Sequence, residues 1–185
     1  MVSSLMRLTK KMNLLPARVM RSRRPAFPII KSPVGGYIGI SPCPGIHGDL
    51  SGDIEQIEQW NPSVVVSLVE THELKKAGAE HIGEILREKR IDWFHMPIVD
   101  CDIPETDVRS VWLDLKPLVR YRLSHKKDRI LLHCWAGCGR TGMIAARLLM
   151  ECSMTAEEAV SHVRSVKPDA IDTFAQIKWL NTPSW

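Results

Sequence analysis

One stretch constrains the fold of this chain more than any other, because a short apolar run, a glycine-rich loop and a longer apolar segment follow each other within residues 129–150. The run Arg129-Ile130-Leu131-Leu132 is typical of a buried strand. The segment from Met143 to Met150 is apolar nearly all round, which is typical of a helix in a domain interior. A strand, a loop and a buried helix in this order predict an α/β fold.

The loop between strand and helix is a predicted anion site. Its glycines let the backbone turn tightly and point successive N–H groups inwards, which forms a nest for an anion. The positive end of the helix dipole adds to the attraction at the same place. We therefore expect a phosphate-binding loop formed by Trp135, Ala136, Gly137, Cys138, Gly139 and Arg140.

Three side chains of this loop carry chemistry. Cys134 lies at the start of the loop, where the positive environment favours the nucleophilic thiolate. Arg140 offers a planar fork of donors that matches two oxygens of a phosphoryl group and binds more tightly as charge develops in the transition state. Thr141 is expected to donate its hydroxyl to the sulfur and to ease the departure of the sulfur in a second step. The loop thus predicts phosphoryl transfer.

The pattern Cys-x5-Arg-Thr after a histidine resembles the signature loop of the cysteine-dependent protein tyrosine and dual-specificity phosphatases. Two further segments, residues 97–105 and 170–176, resemble the acid loop and the C-terminal motif of the kinase-associated phosphatase branch of that family. The resemblance covers roughly residues 37–182 in the order that the family requires. It implies a compact α/β domain, with a mostly parallel central sheet and helices on both faces.

The acid loop contains two candidate acids. Its resemblance points to Asp100, which is followed four residues later by Pro104 and then by Glu105. A phosphate ester independently needs a proton donor for its leaving oxygen. Asp102 is the competitor, and its alternative role is that of an N-cap for a helix that Pro104 and Glu105 open. The resemblance also gives Gln176 the role of placing the hydrolytic water.

These parts predict a two-step reaction. The Cys134 thiolate attacks phosphorus while Asp100 protonates the departing oxygen, and water activated by Asp100 and placed by Gln176 then hydrolyses the cysteinyl phosphate. No metal or other cofactor is expected, because the C-x3-C spacing of Cys134 and Cys138 is not that of a zinc site.

Two residues of the loop are expected to play supporting roles. His133 is expected to hydrogen-bond the loop backbone and orient the thiolate rather than to exchange protons, since proton transfer first requires suitable geometry. Cys138 is expected to fill space in the loop. A reversible disulfide that protects Cys134 remains a minority hypothesis.

The substrate remains open among three hypotheses. The first is a protein phosphatase acting on phosphotyrosine, whose shallow pocket, with Trp135 at its rim, also admits phosphoserine and phosphothreonine. The second is a phosphatase for a lipid, an RNA 5′-phosphate or a small phosphomonoester. The absence of Lys between Cys134 and Arg140 disfavours a polyanionic lipid headgroup. The third is a phosphate-binding module without turnover.

Composition predicts one domain and an uneven charge distribution. The chain has 185 residues, and its first 48 contain eight Lys or Arg and no acidic residue. We expect residues 1–33 to be a basic, flexible extension and residues 34–185 to be the catalytic domain. The extension is expected to contact an anionic surface, to target an organelle or to have no role. The sequence does not indicate an oligomeric state.

The cysteine pattern and the hydropathy indicate the compartment. Five cysteines at irregular spacing argue against a disulfide framework and for a reducing compartment, so the cytoplasm is expected. No apolar run approaches the ~18 residues that a bilayer requires. Within the domain, the apolar pattern predicts strands over 34–40, 63–69, 91–96 and 129–132, and helices over 53–60, 73–77, 81–89, 105–125, 155–166 and 173–180.

Overall fold

The computed structural model describes residues 27–125 and 128–182. Five strands of the described part form one sheet in the order β1-β2-β5-β3-β4. Strand β1 is antiparallel to β2, and the other three pairs are parallel. The expected mostly parallel sheet is therefore confirmed. The strands are β1 (Ile29–Lys31), β2 (Tyr37–Ser41), β3 (Val64–Ser67), β4 (Asp92–His95) and β5 (Arg129–His133).

The register places the end of β5 beside the ends of its two neighbours. Ser41 of β2 and Ser67 of β3 both pair with His133, the last residue of β5. Parallel strands end at the same edge, which is where open α/β sheets bind ligands. The loop that follows His133 therefore begins at the ligand-binding edge of the sheet.

Seven α-helices accompany the sheet in the described residues. They are α1 (Leu50–Trp60), α2 (Thr71–Lys76), α3 (Ile82–Glu88), α4 (Arg109–Ser124), α5 (Gly139–Met150), α6 (Ala156–Val166) and α7 (Phe174–Leu180). Every residue of α5 except Met150 is buried, because this helix packs against α6, α7, β2 and β5. The prediction of a buried central helix after the loop is confirmed. No helix of the described residues is long and apolar enough to cross a bilayer.

The sheet begins earlier than the boundary expected at residue 34. Strand β1 lies within the residues assigned to the extension, and its Ile30 is fully buried. Pro28 directly precedes this strand, and proline is compatible with the start of an edge strand because no ladder hydrogen bond is lost there. Residues 1–26, which carry most of the basic residues of the predicted extension, lie outside the described residues.

The ends of several helices follow from local side-chain bonds. The capping box predicted for α6 is confirmed, with Thr155 Oγ1 accepting the Glu158 N–H at 3.2 Å. The helix expected over 105–125 begins instead with a 3-10 turn at Thr106, and Glu105 precedes that turn. The alternative role of Asp102 as the N-cap is therefore wrong. Its carboxylate accepts the N–H of the next residue, Ile103, at 2.8 Å.

Candidate active site

The signature loop connects β5 to α5 and holds Cys134 almost fully buried. The Gly137 N–H donates to the Cys134 Sγ at 3.2 Å. Gly137 has a φ of +75°, and a Cβ there would lie 2.7 Å from the Ser41 carbonyl. Only glycine fits this turn without strain, because the position combines a left-handed backbone with close contact to β2. The loop thus directs a backbone donor at the sulfur.

Arg140 is held across the loop by a buried carboxylate. Its Nη1 and Nη2 donate to Glu73 Oε2 and Oε1 at 2.7 and 2.9 Å, and Nη1 also donates to the Ile98 carbonyl at 3.0 Å. The guanidinium is 1% exposed. Its Nε is buried and has no hydrogen-bond partner among the described residues. This arrangement fixes the plane of the fork and leaves one donor for an anion.

Glu73 lies on α2, far from the loop in sequence, and its role was not predicted. Burial by itself would raise the pKa of this carboxyl, but hydrogen bonds from Arg140 and from the Glu70 backbone, together with the charge of Arg140, lower it below its usual value. Glu73 is therefore ionised at neutral pH. The only available signal was an acidic residue in a short predicted helix after a central strand.

The acid loop brings Asp100, and not Asp102, to the arginine. Asp100 Oδ1 lies 2.9 Å from the Arg140 Nη2, although the carboxylate is 69% exposed. Between the two aspartates, Cys101 adopts a φ of +62°, so the chain turns sharply. The Asp102 carboxylate instead bonds locally to Ile103. The geometry therefore agrees with the preference for Asp100.

Two other expected site residues make contacts that differ from their predicted roles. Thr141 is fully buried, and its Oγ1 has no hydrogen-bond partner within the described residues, so the expected bond to the Cys134 Sγ is not formed. The Gln176 side chain bonds backbone groups at both ends: its Nε2 donates to the Asp102 carbonyl and its Oε1 accepts the Asp172 N–H.

A family model for the catalytic domain of dual specificity phosphatases matches residues 54–183. The chain belongs to this family. It is a cysteine-dependent protein tyrosine and dual-specificity phosphatase. Cyclin-dependent kinase inhibitor 3 of Rattus norvegicus is 25% identical over 163 residues, which are 84% of this phosphatase and 75% of the relative. Protein tyrosine phosphatase domain-containing protein 1 of Bos taurus is 38% identical over 104 residues, which are 56% and 12% of the two chains.

Solved structures show the same fold. A kinase associated phosphatase with serine at its catalytic-site cysteine superposes on this phosphatase with a TM-score of 0.73 and 20% identity, covering 86% of this chain and 94% of the other. A second protein, Tk-PTP in its active form, gives a TM-score of 0.59 at 24% identity, with coverage of 79% and 88%. The α/β architecture expected from the signature loop is thus that of the phosphatases.

His133 of the phosphatase is a buried, neutral base. Its Nε2 lies 2.6 Å from the Ser67 Oγ, which also accepts a hydrogen bond from the Trp93 Nε1 at 2.8 Å. Burial, with smaller contributions from His95 and Arg140, lowers the pKa of His133 to about 3. A ring with so low a pKa is a weak base at physiological pH, which disfavours proton exchange. Its hydrogen bond goes to Ser67 of β3, and its buried Nδ1 has no partner of regular hydrogen-bond geometry among the described residues, so the geometry does not show the predicted bond to the loop backbone.

This neutral burial makes the stability of the phosphatase dependent on pH. The unfolded imidazole takes up a proton near pH 6.5 and the folded one only near pH 3, so stability falls as the pH falls between these values. From neutral pH to about pH 5 the loss amounts to about 2 kcal/mol. Urea unfolding at pH 7 and pH 5 should show this loss of stability in the wild type. His81→Asn is the control, because it changes an exposed histidine, and it should show the same loss. His133→Asn should lack it, and equal losses in all three proteins would contradict the expectation.

The Cys138 thiol contacts Asp169 and Ala136, and these contacts bear on the hypothesis of a disulfide with Cys134. The Cys138 Sγ lies 3.4 Å from Asp169 Oδ2 and 3.6 Å from the Ala136 carbonyl. Burial and the hydrogen bond to Asp169 raise the pKa of this thiol. A protonated thiol is a poor nucleophile towards an oxidised Cys134. The contacts therefore favour the space-filling role, and the disulfide stays a hypothesis.

Proposed function

We propose that the phosphatase hydrolyses phosphotyrosine, and also phosphoserine and phosphothreonine, in proteins through a phosphorylated Cys134. The observation that carries this proposal is the 2.9 Å ion pair between Asp100 and Arg140. It joins the acid loop to the loop that holds the buried sulfur. A nucleophile and an anion-binding cation of the signature loop and a proton donor of the acid loop therefore converge on one site.

In the first step, phosphate binds where Asp100 now contacts the arginine. The free Nε of Arg140 and its Nη2 form the pair of donors that matches two phosphoryl oxygens. An entering phosphate then displaces the Asp100 carboxylate from Nη2. Because this side chain is largely exposed, it can turn towards the leaving oxygen without opening the core. The displaced carboxylate takes up a proton from solvent. The Cys134 sulfur then forms the bond to phosphorus, and the P–O bond breaks as Asp100 gives this proton to the leaving oxygen.

In the second step, water hydrolyses the thiophosphate. The ionised Asp100 takes a proton from water, the water oxygen bonds to phosphorus and the P–S bond breaks, which restores the thiolate. The remaining N–H groups of the loop and Arg140 stabilise the equatorial oxygens in both transition states. His133 stays neutral and keeps the strand end in place.

The assignment of Asp100 predicts different results for the two aspartates. We expect Asp100→Asn to lower kcat/KM for a phosphotyrosyl peptide by about 10²-fold or more, because the leaving oxygen loses its proton donor. Asp102→Asn is the matched control, since its carboxylate bonds only Ile103, and it should change kcat/KM by less than about threefold. Steady-state assays at constant pH measure both values. A larger loss in Asp102→Asn would reverse the assignment.

A substrate panel tests the proposed function itself. We expect phosphotyrosyl and phosphothreonyl peptides to be hydrolysed with a higher kcat/KM than a phosphatidylinositol phosphate or a 5′-phosphorylated RNA. Trp135 directly follows Cys134 and is half-buried, with the Lys76 Nζ 5.1 Å from the centre of its ring, and we expect it to form the rim of the site. Such an amphipathic rim suits a peptide. A higher kcat/KM for lipid or RNA would overturn the proposal, and binding of phosphate without turnover of any substrate would indicate a binding module.

The similarity to cyclin-dependent kinase inhibitor 3 and to a kinase associated phosphatase supports a phosphorylated protein kinase as one partner. The free thiols of the described residues agree with a reducing compartment, and we propose the cytoplasm. The basic residues near the start of the chain remain a proposed contact for an anionic surface.

A further inference from the structure

Gln176 links two segments of backbone inside the protein. The residue is fully buried, although its side chain is polar. Its Nε2 donates to the carbonyl of Asp102 in the acid loop at 3.2 Å, and its Oε1 accepts the N–H of Asp172 at 3.0 Å. Moving this amide into the phosphate site would break both bonds. The observed contacts therefore differ from those of a residue that holds the hydrolytic water.

We propose that Gln176 is a positioning residue that tethers the acid loop, and so determines where Asp100 can deliver its proton. This inference rests on the role of Asp100 proposed above. Asp100 precedes the tethered residue by two positions, and two residues span at most about 7 Å of chain. Fixing the carbonyl of Asp102 therefore restricts Asp100 to a small region beside the signature loop.

The tether matters most when substrate is bound. The free site holds Asp100 by its ion pair with Arg140, and an entering phosphate takes over that donor. After this exchange the exposed carboxylate has lost its own contact, and the bond from Gln176 to Asp102 still holds the loop. A positioned acid transfers a proton faster than a mobile one because the reacting atoms are already at the required distance.

The other end of the tether is fixed to the core. Gln176 lies in the first turn of α7, and Thr173 caps that helix by accepting the Gln176 N–H at 3.2 Å. Further along α7, Trp179 and Leu180 are buried, and the helix packs against α5. Helix α5 in turn begins within the signature loop. The tether thus connects the acid loop to the same helix that carries Arg140.

Tethering and water placement affect different steps. The kcat/KM includes all steps up to cleavage of the P–O bond, whereas water attacks only afterwards. Loss of a tether therefore lowers kcat/KM, and most strongly for a poor leaving group that needs protonation. We expect Gln176→Met to lower kcat/KM for phenyl phosphate by about tenfold, which is part of the ~10²-fold that proton transfer contributes. For dinitrophenyl phosphate, whose leaving group needs no proton, kcat/KM should fall by less than about threefold.

Two further variants make the result specific. Gln176→Glu keeps an acceptor for the Asp172 N–H but loses the donor to the acid loop, so it should show the same preference for the better leaving group. Thr155→Ala weakens the cap of α6, which makes neither bond of the tether, so the ratio of kcat/KM for the two substrates should stay as in the wild type. This ratio does not depend on the fraction of folded enzyme, which removes a simple loss of stability from the comparison.

Several outcomes would overturn the tether. They are an equal loss for both substrates, a wild-type ratio in Gln176→Glu, an altered ratio in Thr155→Ala, and an unchanged kcat/KM with accumulation of phosphoenzyme in rapid-quench assays. The last result would show that Gln176 places the water. Failure of the proposed function is seen separately: the peptide, lipid and RNA panel decides the substrate class, and a wild type that hydrolyses neither aryl phosphate would show that the site does not turn over.

Discussion

Cys134→Ser is expected to lower kcat by at least about 10⁴-fold for every phosphomonoester, which is the scale on which removal of a nucleophile acts. The substitution keeps the size of the side chain and the N–H groups of the loop, so phosphate should still bind. A serine hydroxyl must lose its proton to attack, and the adjacent residue in the chain, His133, already bonds Ser67 through its Nε2. The phosphoryl group should therefore stay on the substrate.

Two measurements check this expectation. Rapid-quench kinetics should show a burst of product in the wild type and none in Cys134→Ser. Mass spectrometry of the acid-quenched wild type should find one phosphoryl group on the peptide that contains Cys134. Cys138→Ser is the matched control within the same loop, because its sulfur contacts Asp169 rather than the reacting centre, and it should keep activity within about threefold. Similar turnover by the two serine variants would show that Cys134 is not the nucleophile.

Glu73→Ala is expected to destabilise the fold by about 3–5 kcal/mol, because it leaves the charge of Arg140 buried without its partner. The freed guanidinium should also leave its plane, and kcat/KM should fall by about 10²-fold even in the folded fraction. Glu73→Gln keeps the shape and one acceptor, so we expect it to unfold less easily than Glu73→Ala while still losing activity. Urea unfolding and steady-state kinetics measure the two effects.

The control for this pair is Glu84→Gln, since Glu84 is exposed and its one ion pair within residues 27–125 and 128–182 is with His81. Its stability should change by less than about 0.5 kcal/mol. The lowered pKa of Glu73 adds a pH signature: its contribution is present above the usual pKa of the carboxyl and is lost as the pH falls through the lower folded value. The alanine variant should lack that part of the acid-induced loss. A stability of Glu73→Ala close to that of the wild type would show that Arg140 does not depend on the carboxylate.

The sequence predicted those features that adjacent residues determine. The strand Arg129–His133, the loop after it and the buried helix α5 follow from a short apolar run, glycines and an apolar segment in direct succession. The cap at Thr155 follows from two residues three positions apart. In each case the interaction lies within a few residues, so its pattern is visible in the chain.

Features that depend on distant residues were missed. Glu73 meets Arg140 across 67 positions, and a buried carboxylate in a short helix carries no local mark of its partner. The bond from Gln176 to Asp102 spans 74 positions. The sequence did not predict it, and the family resemblance implied instead that Gln176 places the hydrolytic water. Strand β1 has only three residues and follows a proline, so periodicity over a window does not detect it.

The contact between Asp100 and Arg140 also makes the free enzyme its own inhibitor. An oxyanion does not enter an empty cation site, because it must first compete with a carboxylate that is attached to the same chain. The measured dissociation constant of any phosphate is therefore larger than the intrinsic one. It equals the intrinsic constant divided by the fraction of molecules in which Asp100 has left Arg140. With the role proposed for Asp100, one side chain would set both the rate of bond cleavage and the substrate concentration at which the enzyme begins to work.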